Sequence, residues 1–548
     1  MTTLPGRGAG SGSATVLAGM CLLILAAGVP SLAWAALPVA DVVIRGGTVY
    51  DGASAAPLVG DVVVVGDSIV EVGPAAARHV RARRSVDATG LIVAPGFIDP
   101  HGHPDAFVEA TDPRARLALP WLMQGVTTVF VGVDGAGPPG FGTDVGGFFR
   151  RLGRRPVGLN LATYVGFGAV RARVLGAASR SPSPAELERM KALVARGVCD
   201  GALGLSTGLF YPPQSFATTE EVVALAREAA RLGGDYDSHL RDESSYTVGL
   251  LAAVEEAIRI GRDGGLPVHI AHIKALGVDV QGKAPEIVAL IEAARARGQD
   301  ITADQYPWDA SGTSLEAALV PRWAFEGGRE RMLARFDDAA LAERLRREMA
   351  DNLRRRGGAD ALVPVSKGQP WSGKRLTEIA SGWGVEPLAA AVRIMRAQAD
   401  DTPAISFNMA DRDIELFMSQ PWVVTSTDGS TGHPRMYATY PRKYATYVLE
   451  KHTLSLAGFI NSSTGRTADM FRLARRGHLR RGDLADVVVF DPARFRQKAD
   501  YLKPRVLADG VVALLVNGRL AVEHGVPTGV AAGRPIRRTP PQGSCALR

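Results

Sequence analysis

The run Pro95-Gly96-Phe97-Ile98-Asp99-Pro100-His101-Gly102-His103 is apolar until it ends in two histidines spaced i and i+2. In an extended chain that spacing puts both imidazoles on one side. His239 closes Asp235-Tyr236-Asp237-Ser238-His239, and His272 closes Val268-His269-Ile270-Ala271-His272. A lone strand histidine is most often a satisfied core residue. Two of them at the ends of successive runs, level with a His-x-His, form a nitrogen donor set suited to a divalent cation. His269 stands at odd spacing from His272, faces the other way and reads as structural. Asp428 follows Trp422-Val423-Val424-Thr425 within Ser426-Thr427-Asp428-Gly429. At that height its carboxylate can be a ligand and a general base together; taken alone, it would equally serve as a turn-former before Gly429.

For these residues to meet, the elements carrying them must run in parallel. Apolar strand candidates recur at Phe97–Ile98, Thr127–Val133, Val157–Ala162, Leu203–Ser206, Asp235–His239, Val268–His272, Ile301–Asp304 and Trp422–Thr425, with helical stretches between several of them. Ser183-Pro184-Ala185-Glu186 is a capping box with proline at the first helical position, and Thr218 with Glu221 opens a second helix in the same way. Alternating strands and helices imply a parallel sheet, and eight such strands suggest an α/β fold closed as a (β/α)8 barrel over residues 95–480. Ile405–Asn408 is a ninth candidate strand. Residues 310–382 break the rhythm with charged helices and Pro and Gly breaks, as expected of a lid inserted on the catalytic face. Short β-branched runs separated by glycine turns occupy 36–94 and return at 481–538. Neither group is large enough alone, so the two are expected to pair into one small β-sandwich domain.

Residues 1–35 carry one charge, Arg7, then an apolar run to Val29, Pro30 and Ala33-Trp34-Ala35. This reads as a signal peptide cleaved after Ala35, giving a periplasmic or secreted protein with no stable membrane span. Of the three cysteines, Cys21 leaves with that segment. Cys199 and Cys545 remain, the latter in a Pro-rich tail (539–548) expected to be flexible and not bonded to Cys199. Hydrophobic residues are 46% and charged residues 22% of the chain, which excludes a disordered chain and a polytopic membrane protein. The net charge of +7 is dispersed, with no basic block between aromatics, so nucleic acid is not an expected partner.

The layout of His-x-His on the first strand, histidines on the fifth and sixth and aspartate on the eighth resembles the amidohydrolase superfamily. Four segments are similar more narrowly to the N-acyl-D-amino-acid deacylase (D-aminoacylase) family: Gly201 to Pro213, Ser238 to Glu243, Thr302 to Pro307, and His433-Pro434-Arg435 with Tyr440-Pro441-Arg442. The resemblance implies a cysteine ligand after the second strand. Here Asp134 occupies that place, and the fourth strand has no lysine to bridge metals, so Asp134 becomes the bridging candidate. A carboxylate is harder than a thiolate, which weakens the preference for zinc over other divalent ions. The resemblance further implies that Tyr211, Lys274 and Arg435 contact the α-carboxylate of the substrate.

The sequence therefore reads as a metal-dependent hydrolase of N-acyl-D-amino acids. His101, His103, Asp134, His239, His272 and Asp428 would hold one or two divalent ions, zinc foremost, with Asp428 shuttling the proton. The alternatives are a dipeptidase releasing a C-terminal D-residue from L,D-dipeptides and, more remotely, an inactive binding scaffold of the same fold.

Overall fold

The computed structural model describes residues 8–11, 37–53, 56–430 and 432–545. The expected cleavage segment and Cys21 fall almost entirely outside the described residues.

Eight parallel strands surround the centre of the molecule. Phe97–Asp99, Val126–Val131 and Asn160–Thr163 pair in one arc. Val165–Gly166, Gly204–Gly208, Asp235–His239, Val268–Ile270, Ile301–Gln305 and Val423–Thr425 pair in the other. The third barrel strand is interrupted at Tyr164, which joins the arcs through the chain itself. On the other side the first and eighth strands meet just beyond their ends. Gly102 and Gly429 form a parallel bridge there, and Asp428 N donates to His101 O at 2.8 Å.

That seam is tied by one buried carboxylate. Asp99 Oδ1 accepts from Thr427 N at 2.9 Å, while Oδ2 accepts from Thr427 Oγ1 at 2.5 Å and Trp121 Nε1 at 2.8 Å. Burial pushes Asp99 up to about 7, against the pull of these donors. The helices behind the strands start where their caps predict. Ser183 and Glu186 form the reciprocal capping box of Pro184–Cys199, and Thr218 Oγ1 accepts from Glu221 N at the start of Thr219–Arg231.

The two terminal segments form one nine-stranded sheet in which Val487–Phe490 pairs antiparallel with Ile92–Pro95. The ninth strand candidate is not a barrel strand. Pro403–Phe407 pairs antiparallel with Ala310–Ser314 and with Leu362–Pro364, and this small sheet closes the insertion between the seventh and eighth barrel strands. The insertion thus extends past the expected boundary at 382. It has its own apolar cluster, with Leu319, Leu345, Ile379 and Ile394 buried.

The C-terminal tail departs from expectation. Arg538 donates to Leu203 O at 2.7 Å, Arg231 Nη1 to Ser544 O at 3.1 Å, and Cys545 is disulfide-bonded to Cys199 across 346 residues. Cys199 is the last residue of its helix, immediately before the fourth strand, and the tail returns across that end of the barrel. Proximity of this kind has no local sequence signal.

Thr427→Val should loosen the barrel seam. It removes a hydrogen bond to a buried carboxyl group, a loss of roughly 1 to 3 kcal/mol, to be read as a lower urea midpoint. An unchanged midpoint would show that the seam is held by other contacts.

Candidate metal centre and substrate cavity

Each barrel strand that carries a candidate ligand delivers it at the C-terminal end. His101 and His103 follow the first strand, Asp134 the second and Asp428 the eighth, whereas His239 is the last residue of the fifth. His272 lies two residues past the sixth strand, where it was expected to be part of that strand. Asp134, His272 and Asp428 have φ of 54°, 35° and 43°. Left-handed backbone is uncommon away from glycine and is retained where the surroundings enforce it, often at functional sites.

For Asp134 the enforcing contacts are visible. Gln214 Nε2 donates to Asp134 O at 2.8 Å and Gln214 Oε1 accepts from Gly208 N at 2.7 Å. Ser206 Oγ donates to Gly132 O at 2.6 Å and accepts from Gly135 N at 3.2 Å. A Cβ at Gly208 would stand 2.5 Å from Asp134 O, so the fourth strand can approach this turn only as glycine.

Asp134 is the hub of the centre. Its Oδ1 lies 3.4 Å from His101 Nε2, 3.5 Å from His272 Nε2 and 3.6 Å from His239 Nδ1, and its Oδ2 lies 3.4 Å from His103 Nε2. Asp428 Oδ1 is 3.4 Å from His103 Nε2. Ligand atoms of His101, Asp134 and His272, and likewise of His101, His103 and Asp428, lie within 4.8 Å of one another. Both ring nitrogens of His101, Asp134 Oδ1 and His239 Nε2 are buried with no hydrogen-bond partner among the described residues. Buried polar atoms left unpaired are costly. Two of them, His101 Nε2 and Asp134 Oδ1, face each other, and with the nearby nitrogens of His239 and His272 they make a donor set of imidazole nitrogen and carboxylate oxygen that fits a divalent cation of the zinc type.

The charges agree with that fit. Burial opposes ionisation of Asp134, but His101, His103 and His239 outweigh it and hold the carboxyl well below its usual range. Burial keeps His101 low, against the pull of Asp134. Burial and Lys274 work against charge on His272, yet Asp428, Asp134 and Glu243 push it up to about 10. A cation binding here must displace protons from such imidazoles.

The centre opens into a cavity of about 300 Å³ lined by His103, Asp134, Tyr211, Lys274, Tyr306 and Arg435, among others. All three expected carboxylate contacts reach it, but two are already engaged. Lys274 Nζ donates to Glu243 Oε1 at 2.5 Å and meets His272 Nδ1 at 2.6 Å. Arg435 Nη1 lies 2.7 Å from Asp428 Oδ2. Burial alone would raise Asp428, but Arg435 first and His272 second hold it far below the usual carboxylate range. Tyr211 Oη is 3.2 Å from Thr313 Oγ1. His269 bonds Asp304 at 2.8 Å and sits level with Asp237, on the same face of the sheet as His239, so it points into the barrel beneath the centre and not the other way as expected.

Two further residues belong to the site. Glu243, buried, stands 3.2 Å from His272 Nδ1 and fixes that ring from behind. Tyr306 lies beneath Arg435, whose Cζ is 4.7 Å from the ring centre, and its hydroxyl has no partner among the described residues. Both lie in segments whose family resemblance is plain, yet neither follows a strand periodicity that would single it out.

The profile described as "Amidohydrolase family" matches residues 84–522. A D-aminoacylase of Alcaligenes xylosoxydans xylosoxydans is 34% identical over 91% of this chain and 98% of its own length. A solved D-aminoacylase with a binuclear metal centre superposes with a TM-score of 0.75 at 32% identity, covering 91% of this chain and all of its own. An N-acyl-D-glutamate deacylase of Bordetella bronchiseptica, solved with zinc and a phosphonate mimic of the tetrahedral intermediate, gives 0.76 at 29% identity over the same shares.

Asp134→Asn should strip this centre of metal. Loss of an outer partner alone costs roughly 10- to 100-fold in metal affinity, and loss of the hub should cost more, taking nearly all activity with it. Asp134→Cys should retain more metal than Asn does. Metal analysis of the purified variants beside kcat/KM decides the matter: full occupancy and near-normal rate in the Asn variant would mean that Asp134 only shapes its turn.

Proposed function

The chain belongs to the amidohydrolase family and, within it, to the N-acyl-D-amino-acid deacylases, and we propose that it hydrolyses N-acyl-D-amino acids to a carboxylate and a free D-amino acid. The observation that carries this is the pairing of a carboxylate-centred histidine cluster with an ionised Asp428 held against Arg435, both at the floor of one cavity.

His101, His103, Asp134, His239, His272 and Asp428 would hold one or two divalent ions, zinc foremost. Such an ion, when bound, polarises the acyl carbonyl and makes water acidic enough to attack near neutral pH. Asp428 is kept ionised by Arg435, so it is ready to accept the water proton and pass it to the leaving nitrogen. Arg435 presents a planar fork suited to the α-carboxylate, and the Tyr306 ring supports it from below. Lys274 and Glu243 hold His272 in place and make a neutral pair on that wall.

A dipeptidase would need an acidic group free to receive a substrate ammonium. Glu243 is paired with Lys274, and Asp401 lies 3.1 Å from Arg329, so the deacylase reading is preferred. The insertion contributes Ser311, Thr313, Arg356 and Pro403 to the cavity wall, which supports its reading as a lid. The terminal sheet packs Val42, Ile44 and Val62 with Val487, Val489 and Leu515 in one cluster, which supports a small β-sandwich domain. Export to the periplasm or beyond is supported by the N-terminal sequence and by the Cys199–Cys545 disulfide, a bond of oxidising compartments.

A screen of N-acetyl-D-amino acids, N-acetyl-L-amino acids and L,D-dipeptides with metal-reconstituted enzyme tests the proposal. Turnover confined to the N-acetyl-D series is expected, and turnover confined to dipeptides or to the L series would refute it. Asp428→Asn should keep its metal yet lose about 10² to 10⁴ in kcat; a metal-loaded Asn variant with near-normal kcat would remove the proton shuttle. Arg435→Ala should lose more on N-acyl amino acids than on their amides, by roughly 1.5 to 3 kcal/mol. Equal losses would confine Arg435 to its contact with Asp428.

A further inference from the structure

Arg356 is a buried guanidinium on the wall of the catalytic cavity with no anion to face among the described residues. It caps the C-terminal end of helix Ala339–Arg355 in the insertion and is 2% exposed, yet it lines the same cavity as His103, Asp134 and Arg435. Its Nε donates to Tyr246 Oη at 2.5 Å, and its Nη1 donates to Ser406 Oγ at 3.1 Å and Ser311 Oγ at 3.5 Å. These partners are neutral hydroxyls. Among the described residues Nη2 has no hydrogen-bond partner, and no carboxylate approaches the guanidinium within the 4.0 Å of an ion pair. The carboxylates that line the cavity are committed elsewhere: Asp134 to the histidines, Asp428 to Arg435, Glu243 to Lys274 and Asp401 to Arg329. The surroundings add positive charge. Arg322 and Arg355 lie 5.6 and 6.0 Å from the Tyr246 ring, and neither has an ion pair among the described residues.

A buried charge without a counter-charge is expensive, and proteins keep one where a ligand supplies the partner. Three hydroxyls fix the guanidinium plane and leave one nitrogen free, which preorganises a fork for a carboxylate. Arg435 is placed to take the α-carboxylate, so an anion at Arg356 must be a second one.

We propose that Arg356 determines specificity by binding a second carboxylate, so that the preferred substrates are dianionic N-acyl-D-amino acids. The second carboxylate belongs either to the amino-acid side chain or to the acyl group. This rests on the deacylase reading above and adds the substrate class to it.

The test compares kcat/KM of the metal-loaded enzyme within two matched pairs: N-acetyl-D-glutamate against N-acetyl-D-glutamine, and N-succinyl-D-leucine against N-acetyl-D-leucine. A preference of about tenfold or more for the acid is expected in one pair, and that pair identifies which half of the substrate Arg356 reads. In Arg356→Met the preference should collapse, chiefly through KM of the acid, and Arg356→Lys should restore part of it. Equal or better turnover of the neutral member in both pairs overturns the inference while leaving the deacylase reading intact; that wild-type comparison decides even if the variants fail to fold. Equal losses on acid and neutral substrates in Arg356→Met also overturn it, because a residue that only supports the fold would not distinguish them. No turnover of any N-acyl-D-amino acid overturns both readings.

Discussion

One carboxylate, half-buried as a side chain, sets the terms for the rest of this molecule. Asp134 Oδ1 has no hydrogen-bond partner among the described residues and has imidazole nitrogens at 3.4, 3.5 and 3.6 Å. Alone in a protein interior such a group would take up a proton. It stays ionised because His101, His103 and His239 surround it. The cluster is unfinished without a cation, whose binding replaces proton sharing by ligation. The outer contacts follow from this need for rigid placement: Glu243 and Lys274 hold His272, and Arg435 holds Asp428.

Placement of that accuracy cannot come from strands alone. Three of the candidate ligands leave their strands through left-handed backbone, a conformation costing of order 1–3 kcal/mol. Ser206 and Gln214 fasten the Asp134 turn to the fourth strand, and the Asp99 carboxylate fastens the Asp428 turn to the first. Both devices span barrel strands, so the metal centre and the closure of the barrel are one structure. The insertion adds the outer wall of the cavity and, with Arg356, the only charge on that wall without an anion among the described residues.

Much of this was legible in the sequence because barrel strands announce themselves as short apolar runs and their C-terminal ends carry the chemistry. His101, His103, His239 and His272 stand out by type and spacing, and the structure brings them together with Asp134 and Asp428. The strand at Pro403–Phe407 looked like a barrel strand, since an apolar run does not reveal its partner; only the pairing with Ala310–Ser314 assigns it. Cys199 and Cys545 could not be matched for the same reason, being 346 residues apart. Lys274 was expected at the substrate α-carboxylate; its engagement by Glu243 had no sequence signal, because Glu243 arrives on a loop with no periodicity. Arg356 sits among the dispersed charges of the insertion, where an arginine ordinarily reads as a solvated surface residue.

Amide hydrolysis by this enzyme depends on the metal that the Asp134 cluster would hold. The most direct test is to chelate the purified wild-type enzyme, then add zinc back in steps while measuring bound metal and hydrolysis of an N-acetyl-D-amino acid. Activity should vanish with the metal and return with the first one or two equivalents. Undiminished turnover by chelated, metal-free enzyme would contradict that dependence.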